Sequence, residues 1–584
     1  MPDRLILCGG ARRTGGDSML RLALSGRSQN ITLRLEDISR RLIQNVPGLL
    51  IDLIEIAAYV YCADQAISRG GDVQRAMGAD WRRTFRFVIP VRNPDHWNDA
   101  SVSEPLCAAL SFLSEDEYAF EFEKATDPVL FQDYLELGDD GDTAFKADEV
   151  VLFSGGLDSL SGAIEELSTS TRRIALVSHH SSTKIFDYQK QLVADLSQRF
   201  PKRLIHMPVL MTRQLVTLPA PEYTHRSRSF LYAALACTVA RLFGTGQIRF
   251  FENGVLSINL PISQMVVGAR ATRTTHPLVL TRFREFFSAA IGKPIEIENP
   301  FVWKTKADVI RLIVDRGCGP LIKHTVSCTR TYDITKLHTH CGCCSQCIDR
   351  RFAVLAANAA EHDSVDMYKV ELLAGERHKD EDKTMAESYV RTALELRDMG
   401  EHAFFGRFGG LTARVCNGFR SLTADEVGRQ IFDLHQRHAQ AIGDVLQAAV
   451  EGHSAELVKG SLPPSSVLMM TVVPGGAPVL ASVGKRPDSL RTWIKEEEEE
   501  IDNSPGNQHD QSARAASKSQ LGAGAKTRGI AEAINHLWPN GIPTGLSAKD
   551  RNKAVIDWLG ENGCSLPTNP ERAIQRVLKQ RPSE

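Results

Sequence analysis

Two stretches of this chain hold residues whose types and spacing can do chemistry. The first is Val150-Val151-Leu152-Phe153-Ser154-Gly155-Gly156-Leu157-Asp158-Ser159, an apolar run that enters a Gly-Gly turn and then a helical pattern. Glycines in such a turn leave backbone N–H groups open to close approach, and the helix N-terminus adds partial positive charge, so an anion is favoured there. The hydroxyls of Ser154 and Ser159 can donate to phosphate oxygens. Asp158 beside an anion makes sense if it holds Mg²⁺ or orients a dipole, which points to nucleotide–metal chemistry. In an ordinary strand–turn–helix the same aspartate caps the helix.

The second stretch is Cys341-Gly342-Cys343-Cys344-Ser345-Gln346-Cys347, with Cys328 upstream. Thiolates at Cys328, Cys341, Cys344 and Cys347 fill a tetrahedral Zn²⁺ site with no open position, the structural type, leaving Cys343 intervening and Cys318 spare. The alternative is an iron–sulfur cluster, although Arg350 and Arg351 stand where such a run needs its fourth cysteine. Half of the twelve cysteines crowd into residues 318–347, which in a reducing compartment indicates metal and not a disulfide framework.

Positioning these groups requires an α/β framework. Short β-rich runs at 149–153, 173–178, 203–207 and 248–252 alternate with helical patterns at 157–167, 186–199 and 230–243. That alternation predicts βαβ units and a parallel sheet flanked by helices, with ligands at the carboxyl ends of the strands. Residues 1–146 read as a separate mixed α/β domain, with strands at 4–8 and 84–91 and helices at 33–46 and 49–67. The region 366–495 reads as mostly helical, 496–526 as an acidic and flexible linker, and 527–584 as three short helices.

The loop Ser-Gly-Gly-Leu-Asp-Ser after a hydrophobic strand resembles the PP-loop of ATP pyrophosphatases, a HUP-like α/β fold. The resemblance implies that Ser154, Gly155, Gly156, Leu157, Asp158 and Ser159 bind ATP, and that AMP is transferred with release of pyrophosphate. Asp158 and Ser159 are then the catalytic candidates. Followed by Ser327-Cys328, Cys-Gly-x-Cys-x-x-Cys and Arg350, the loop is similar to the QueC family of 7-cyano-7-deazaguanine synthases, over about residues 148–365. That family adenylates 7-carboxy-7-deazaguanine with ATP and Mg²⁺. Arg228, in Arg228-Ser229-Phe230-Leu231, and Lys306, in Lys304-Thr305-Lys306-Ala307-Asp308, match weaker family segments and are candidates for contacting phosphates or base.

The family's substrate segment is replaced here by Glu252-Asn253-Gly254-Val255-Leu256-Ser257-Ile258-Asn259-Leu260-Pro261. The run Arg270, Arg273, Thr274, Thr275, His276 can bind an anion or form a solvated loop. The long flanking regions look like those of extended QueC-like proteins of antiphage clusters, the QatC component of Qat systems and the QueC-like component of type IV CBASS. That likeness implies a protein amine as an acceptor alternative to ammonia. Other readings are a housekeeping synthase of queuosine biosynthesis, a nucleotide-binding defence scaffold without turnover, and a PP-loop tRNA-modifying enzyme.

At about 150 residues per domain, 584 residues allow three or four domains. Lys plus Arg (69) nearly cancels Asp plus Glu (71), which argues against a whole-chain nucleic-acid glove. The apolar run 46–66 is broken by Asp52 and Glu55, so no membrane span is expected. The short apolar start, Leu5-Ile6-Leu7-Cys8, is no secretion signal, so a cytoplasmic protein is expected. Charge is local: from Gln511 onward eleven Lys/Arg face six Asp/Glu. The 527–584 module, with Arg572, Arg576 and Lys579 on its last helix, therefore suits DNA contact or docking to a partner protein.

Overall fold

The computed structural model describes residues 3–13, 19–34, 36–38, 45–69, 82–126, 145–180, 183–213, 226–261, 273–330, 335, 337–472, 533, 536–537, 548–561 and 574. The chain divides into two units, Met1–Gly484 and Lys485–Glu584.

The larger unit is α/β, with two sheets. One has the order β2-β1-β4-β5 and is parallel throughout: β1 (Asp3–Cys8), β2 (Met19–Leu22), β4 (Thr84–Val91) and β5 (Glu117–Lys124). The other has the order β10-β9-β6-β7-β8-β3, from β3 (Ile31–Leu33), β6 (Glu149–Leu152), β7 (Ile174–His180), β8 (Leu204–Arg213), β9 (Gln247–Arg249) and β10 (Glu296–Glu298). Its pairs are parallel except that of β3, the edge strand, which lies antiparallel on β8. Every residue of β6 is buried, as expected of a central parallel strand covered on both faces.

Residue 33 ends a strand instead of starting a helix. Ile31 and Thr32 are β-branched and pair with Arg213 and Thr212, and this long-range pairing outweighs the local helical period that begins at Leu33. The rest of that expected helix lies largely outside the described residues, at 39–44.

The longer helices, in chain order, are α1 (Gly48–Ala66), α2 (Ala100–Ser114), α3 (Leu157–Thr169), α4 (Thr183–Arg199), α5 (Arg228–Leu242), α6 (Pro277–Ile291), α7 (Lys306–Asp315), α8 (Ser345–Ala356), α9 (Asp380–Arg397), α10 (Glu401–Cys416) and α11 (Ala424–Gly452). Helix α1 packs against α5, and α2 against α6. Ile54 of α1, Phe87 of β4, Val150 of β6, Leu235 of α5 and Phe283 of α6 therefore share one core. Asp52 and Glu55, which interrupt the apolar run of α1, are both buried because Arg92 pairs with them at 2.6 and 3.0 Å. Asp64 of the same helix accepts from the Ser227 backbone N–H (2.9 Å) and hydroxyl (2.8 Å) at the start of α5, and from Arg83. Burial opposes its charge, but Arg83, Arg69 and the Ser227 N–H outweigh that and lower its carboxyl to about 2, so it stays ionised in the interior. Among the described residues, no helix is long and apolar enough to cross a membrane.

After the parallel sheet the described chain is helical. Helix α11 begins at a Thr423–Glu426 capping box and packs against α8, α9 and α10. In the smaller unit, helix Ala548–Glu561 is described, with Trp558 Nε1 donating to His536 Nδ1 at 3.2 Å. Arg572, Arg576 and Lys579 lie outside the described residues, as does the 496–526 segment.

Helix α6 supplies a test of pH dependence. His276 Nδ1 accepts from the Leu278 N–H at 3.2 Å, so the ring must be unprotonated there. Burial, with Arg273 and Arg414 nearby, pushes its pKa down to about 3. In the unfolded chain the ring titrates near about 6.5. Below that pH the unfolded state binds the extra proton, so stability falls until the folded value is reached. Denaturation midpoints are expected to drop on acidification below about pH 6.5, by up to roughly 1.4 kcal/mol per pH unit from this residue. His276→Asn, which retains a capping acceptor but does not titrate, is expected to flatten that slope; an unchanged slope excludes His276 as its source.

Candidate functional site

The phosphate-binding candidates sit where β6 gives way to α3. Gly155 has φ +84°, an angle that favours glycine, and a Cβ there would come within 3.1 Å of Gln189 Cγ, so Gln189 would have to shift for any other residue. Gly156 is the N-cap of α3, without a side-chain cap, so no side chain occupies the first-turn N–H groups from that position. Ser154 is exposed, its Oγ 3.2 Å from Ser159 Oγ, while Ser159 Oγ donates to the Gly156 carbonyl at 3.1 Å. The turn is braced from two sides. Gln189 Nε2 donates to the Ser154 carbonyl (3.0 Å), and the Val326 N–H to the Gly155 carbonyl (3.2 Å).

Asp158 does not cap its helix. Its Oδ1 accepts from the Asn253 backbone N–H (3.1 Å) and Nδ2 (3.2 Å), and its Oδ2 is ion-paired with Lys306 Nζ. Lys306 is the first residue of α7, fixed by the Thr305–Asp308 capping box. Burial opposes the charge on Lys306, yet Asp158, Asp349 and Glu252 outweigh it and hold the ammonium pKa above its ordinary value. Glu252 is affected oppositely: burial first, then Asp158 and Asp349, push its carboxyl up to about 8 against the pull of Lys306. One ammonium thus lies among three carboxyl groups next to the phosphate loop.

Arg228 is not part of this group. It sits on the first turn of α5, its Nη2 donating to the Tyr232 hydroxyl at 2.7 Å and its guanidinium 5.2 Å from the Tyr232 ring. The polar run that follows is structural where described. Arg273 pairs with Glu115 (2.5 Å), Thr275 Oγ1 lies 3.0 Å from Ser257 Oγ, and His276 caps α6. Arg270 lies outside the described residues.

The Sγ atoms of Cys328, Cys341, Cys344 and Cys347 all lie within 4.8 Å of one another and are buried. Cys341 and Cys347 are 3.8 Å apart, the edge of a tetrahedron whose centre is about 2.3 Å from each sulfur, the Zn–S bond length. That spacing suits four thiolates on one ion; in an iron–sulfur cluster the four cysteines are divided among two or four irons, and sulfurs on different irons stand farther apart. Backbone N–H groups of Cys343 and Cys344 point at Cys341 Sγ (3.4 and 3.3 Å). Gly342 makes the turn possible: φ is +77°, and a Cβ would fall 1.9 Å from the Val370 carbonyl oxygen. Cys343 is outside the group of four, and Cys318 belongs to a separate apolar core.

The metal region and the phosphate loop are physically joined. Arg350 of α8 is fully buried, pairs with Asp363 (2.7 Å) and donates to Thr325 Oγ1 (2.6 Å), which fixes the segment whose next residue holds the Gly155 carbonyl. A metal at the four cysteines would anchor the start of that helix. Sequence reasoning passed over Gln189, Asn253, Glu252 and Asp349 as site residues. Asn253 and Glu252 carry a signal, because they follow a strand at its carboxyl end; Gln189 carries none.

Cys344→Ser and Cys347→Ser are expected to reduce a zinc content of one per chain to near zero by elemental analysis, whereas Cys343→Ser and Cys318→Ser retain it. Iron in place of zinc, in coloured protein, would overturn the assignment. Gly155→Ala is expected to cost at least about 1 kcal/mol in denaturant unfolding, from the left-handed angle alone.

The family model for "Queuosine biosynthesis protein QueC" matches residues 272–358, a segment that holds Lys306, the four cysteines and Arg350 but not the phosphate loop. No curated protein matches the chain. The matched region supports a QueC-like family, and that family points to a PP-loop, ATP-using enzyme.

Proposed function

We propose that this protein is an ATP-dependent enzyme that adenylates the carboxylate of a deazaguanine, 7-carboxy-7-deazaguanine, for amide or nitrile formation. The observation that carries the reading is the union of an uncapped, glycine-lined helix N-terminus bearing two serine hydroxyls with a four-cysteine site in a QueC-like segment. Ser154, Gly155, Gly156, Leu157 and Ser159 hold the pyrophosphate end of ATP through hydroxyls and backbone N–H groups. Lys306, charged and anchored by Asp158, is placed beside those phosphates. Arg228, exposed at the start of α5, is available to the base or the acceptor. Mg²⁺ on the phosphates would supply further charge neutralisation.

A carboxylate oxygen attacks the α-phosphorus, its bond to the bridging oxygen breaks, and pyrophosphate leaves. An amine then displaces AMP from the acyl carbon and loses a proton, giving an amide. The length beyond the parallel-sheet region favours an antiphage-defence setting with a protein amine as acceptor, as in the extended QueC-like proteins.

Pyrophosphate release is expected on mixing the protein with ATP, Mg²⁺ and 7-carboxy-7-deazaguanine. Ser159→Ala should slow it about 100-fold, the usual scale for deleting one donor to developing charge. Tight ATP binding with no pyrophosphate from any carboxylate acceptor would leave a nucleotide-binding scaffold instead. Intact masses of co-expressed neighbouring proteins discriminate the nucleophile, because a protein acceptor gains the deazaguanine mass.

A further inference from the structure

The helical segment after the metal region carries no motif, yet two of its side chains reach the surroundings of Lys306. Tyr389 of α9 donates to Asp349 Oδ1 at 2.7 Å, and His438 Nε2 of α11 lies 3.5 Å from the same tyrosine hydroxyl. The single hydroxyl proton is given to Asp349, so His438 must be the donor to the tyrosine oxygen. Burial holds the His438 pKa below its ordinary value, consistent with a neutral ring. The three side chains are buried and line one small pocket together with Thr305, the cap of the helix that starts at Lys306.

Asp349 is the pivot. Its Oδ2 is buried without a hydrogen-bond partner, and it lines the same pocket as Thr305 and Ala307, the two residues that flank Lys306. A buried carboxylate satisfied on one oxygen by a neutral hydroxyl competes weakly for a nearby ammonium. Stripped of that hydroxyl it becomes an unpartnered buried charge, and the ammonium of Lys306 is the cation available to it.

We infer that Tyr389 is a positioning residue: by occupying Asp349, and itself oriented by His438, it leaves Lys306 paired with Asp158 at the phosphate loop. The helical extension is then a working part of the nucleotide site and not an appended module. The inference rests on the proposed function for what Lys306 does, namely meet the phosphates of ATP.

Tyr389→Phe retains the ring stacked on Phe352 (5.7 Å between centroids) and removes only the hydroxyl. It is expected to raise KM for ATP in pyrophosphate release about tenfold while kcat stays within threefold. Adding Asp349→Asn to that variant should return KM to within threefold of wild type, since no carboxylate then competes for Lys306. A merely structural role would lower the active fraction and hence kcat, leave KM alone and show no rescue. An unchanged KM in Tyr389→Phe, or a double variant no better than the single, overturns the inference. If the wild type binds ATP but releases no pyrophosphate, the functional reading fails by itself. The same tenfold loss and rescue, read as ATP dissociation constants by calorimetry, then decide this inference. A wild type that does not bind ATP overturns both.

Discussion

The buried pairing of Asp158 with Lys306 is the contact on which the arrangement of this protein turns. It joins residues 148 positions apart, and each partner is otherwise hard to place: an aspartate in the first turn of a helix that it does not cap, and a lysine with 2% of its surface exposed. Neither charge is tolerable alone in that setting, because an uncompensated buried ion costs several kcal/mol. Once paired, the carboxylate would no longer repel an anion at the helix N-terminus, and the ammonium is held beside the first turn of α3. Asn253 contributes two further hydrogen bonds to Asp158, so the carboxyl ends of β6 and β9 and the start of α7 converge on one group.

Other long-range ties serve the same convergence. The Arg350–Asp363 pair and the four cysteines brace the segment that holds the Gly155 carbonyl. From the opposite direction, Asp64 of α1 caps the start of α5, where Arg228 sits. The first 146 residues are thus not an independent prefix to the parallel sheet. They add its edge strand β3, share its apolar core and fix one of its helix ends.

Much of the fold was legible from sequence because it rests on local period. Strands at 84–91 and 149–153, and helices at 49–67, 157–167 and 424–450, follow apolar patterns that burial rewards wherever the element packs. The phosphate loop and the cysteine group were legible for a related reason: their residues are contiguous, and glycine or cysteine there answers a stereochemical need. Residue 33 was misread because β3 has no stable local identity. Its three residues become a strand only against β8. The run from Arg273 to His276 was open to two readings, an anion site or a solvated loop, since sequence does not reveal that Glu115 lies opposite.

Sequence by itself determined that this chain builds a parallel α/β sheet with a Gly-Gly turn into a helix at a strand end and four thiolates suited to one metal. Those features follow from backbone stereochemistry and from the spacing of side chains within a few residues. Only the tertiary structure decided what surrounds them: that Asp158 is turned from its own helix to Lys306, that Arg228 is turned to Tyr232, and that Tyr389 and His438 stand behind Asp349. The physical reason is that electrostatic partners are chosen by distance and burial in the folded state. Charges more than a hundred residues apart, such as Asp158 and Lys306, meet only after the apolar faces of their helices have been packed together.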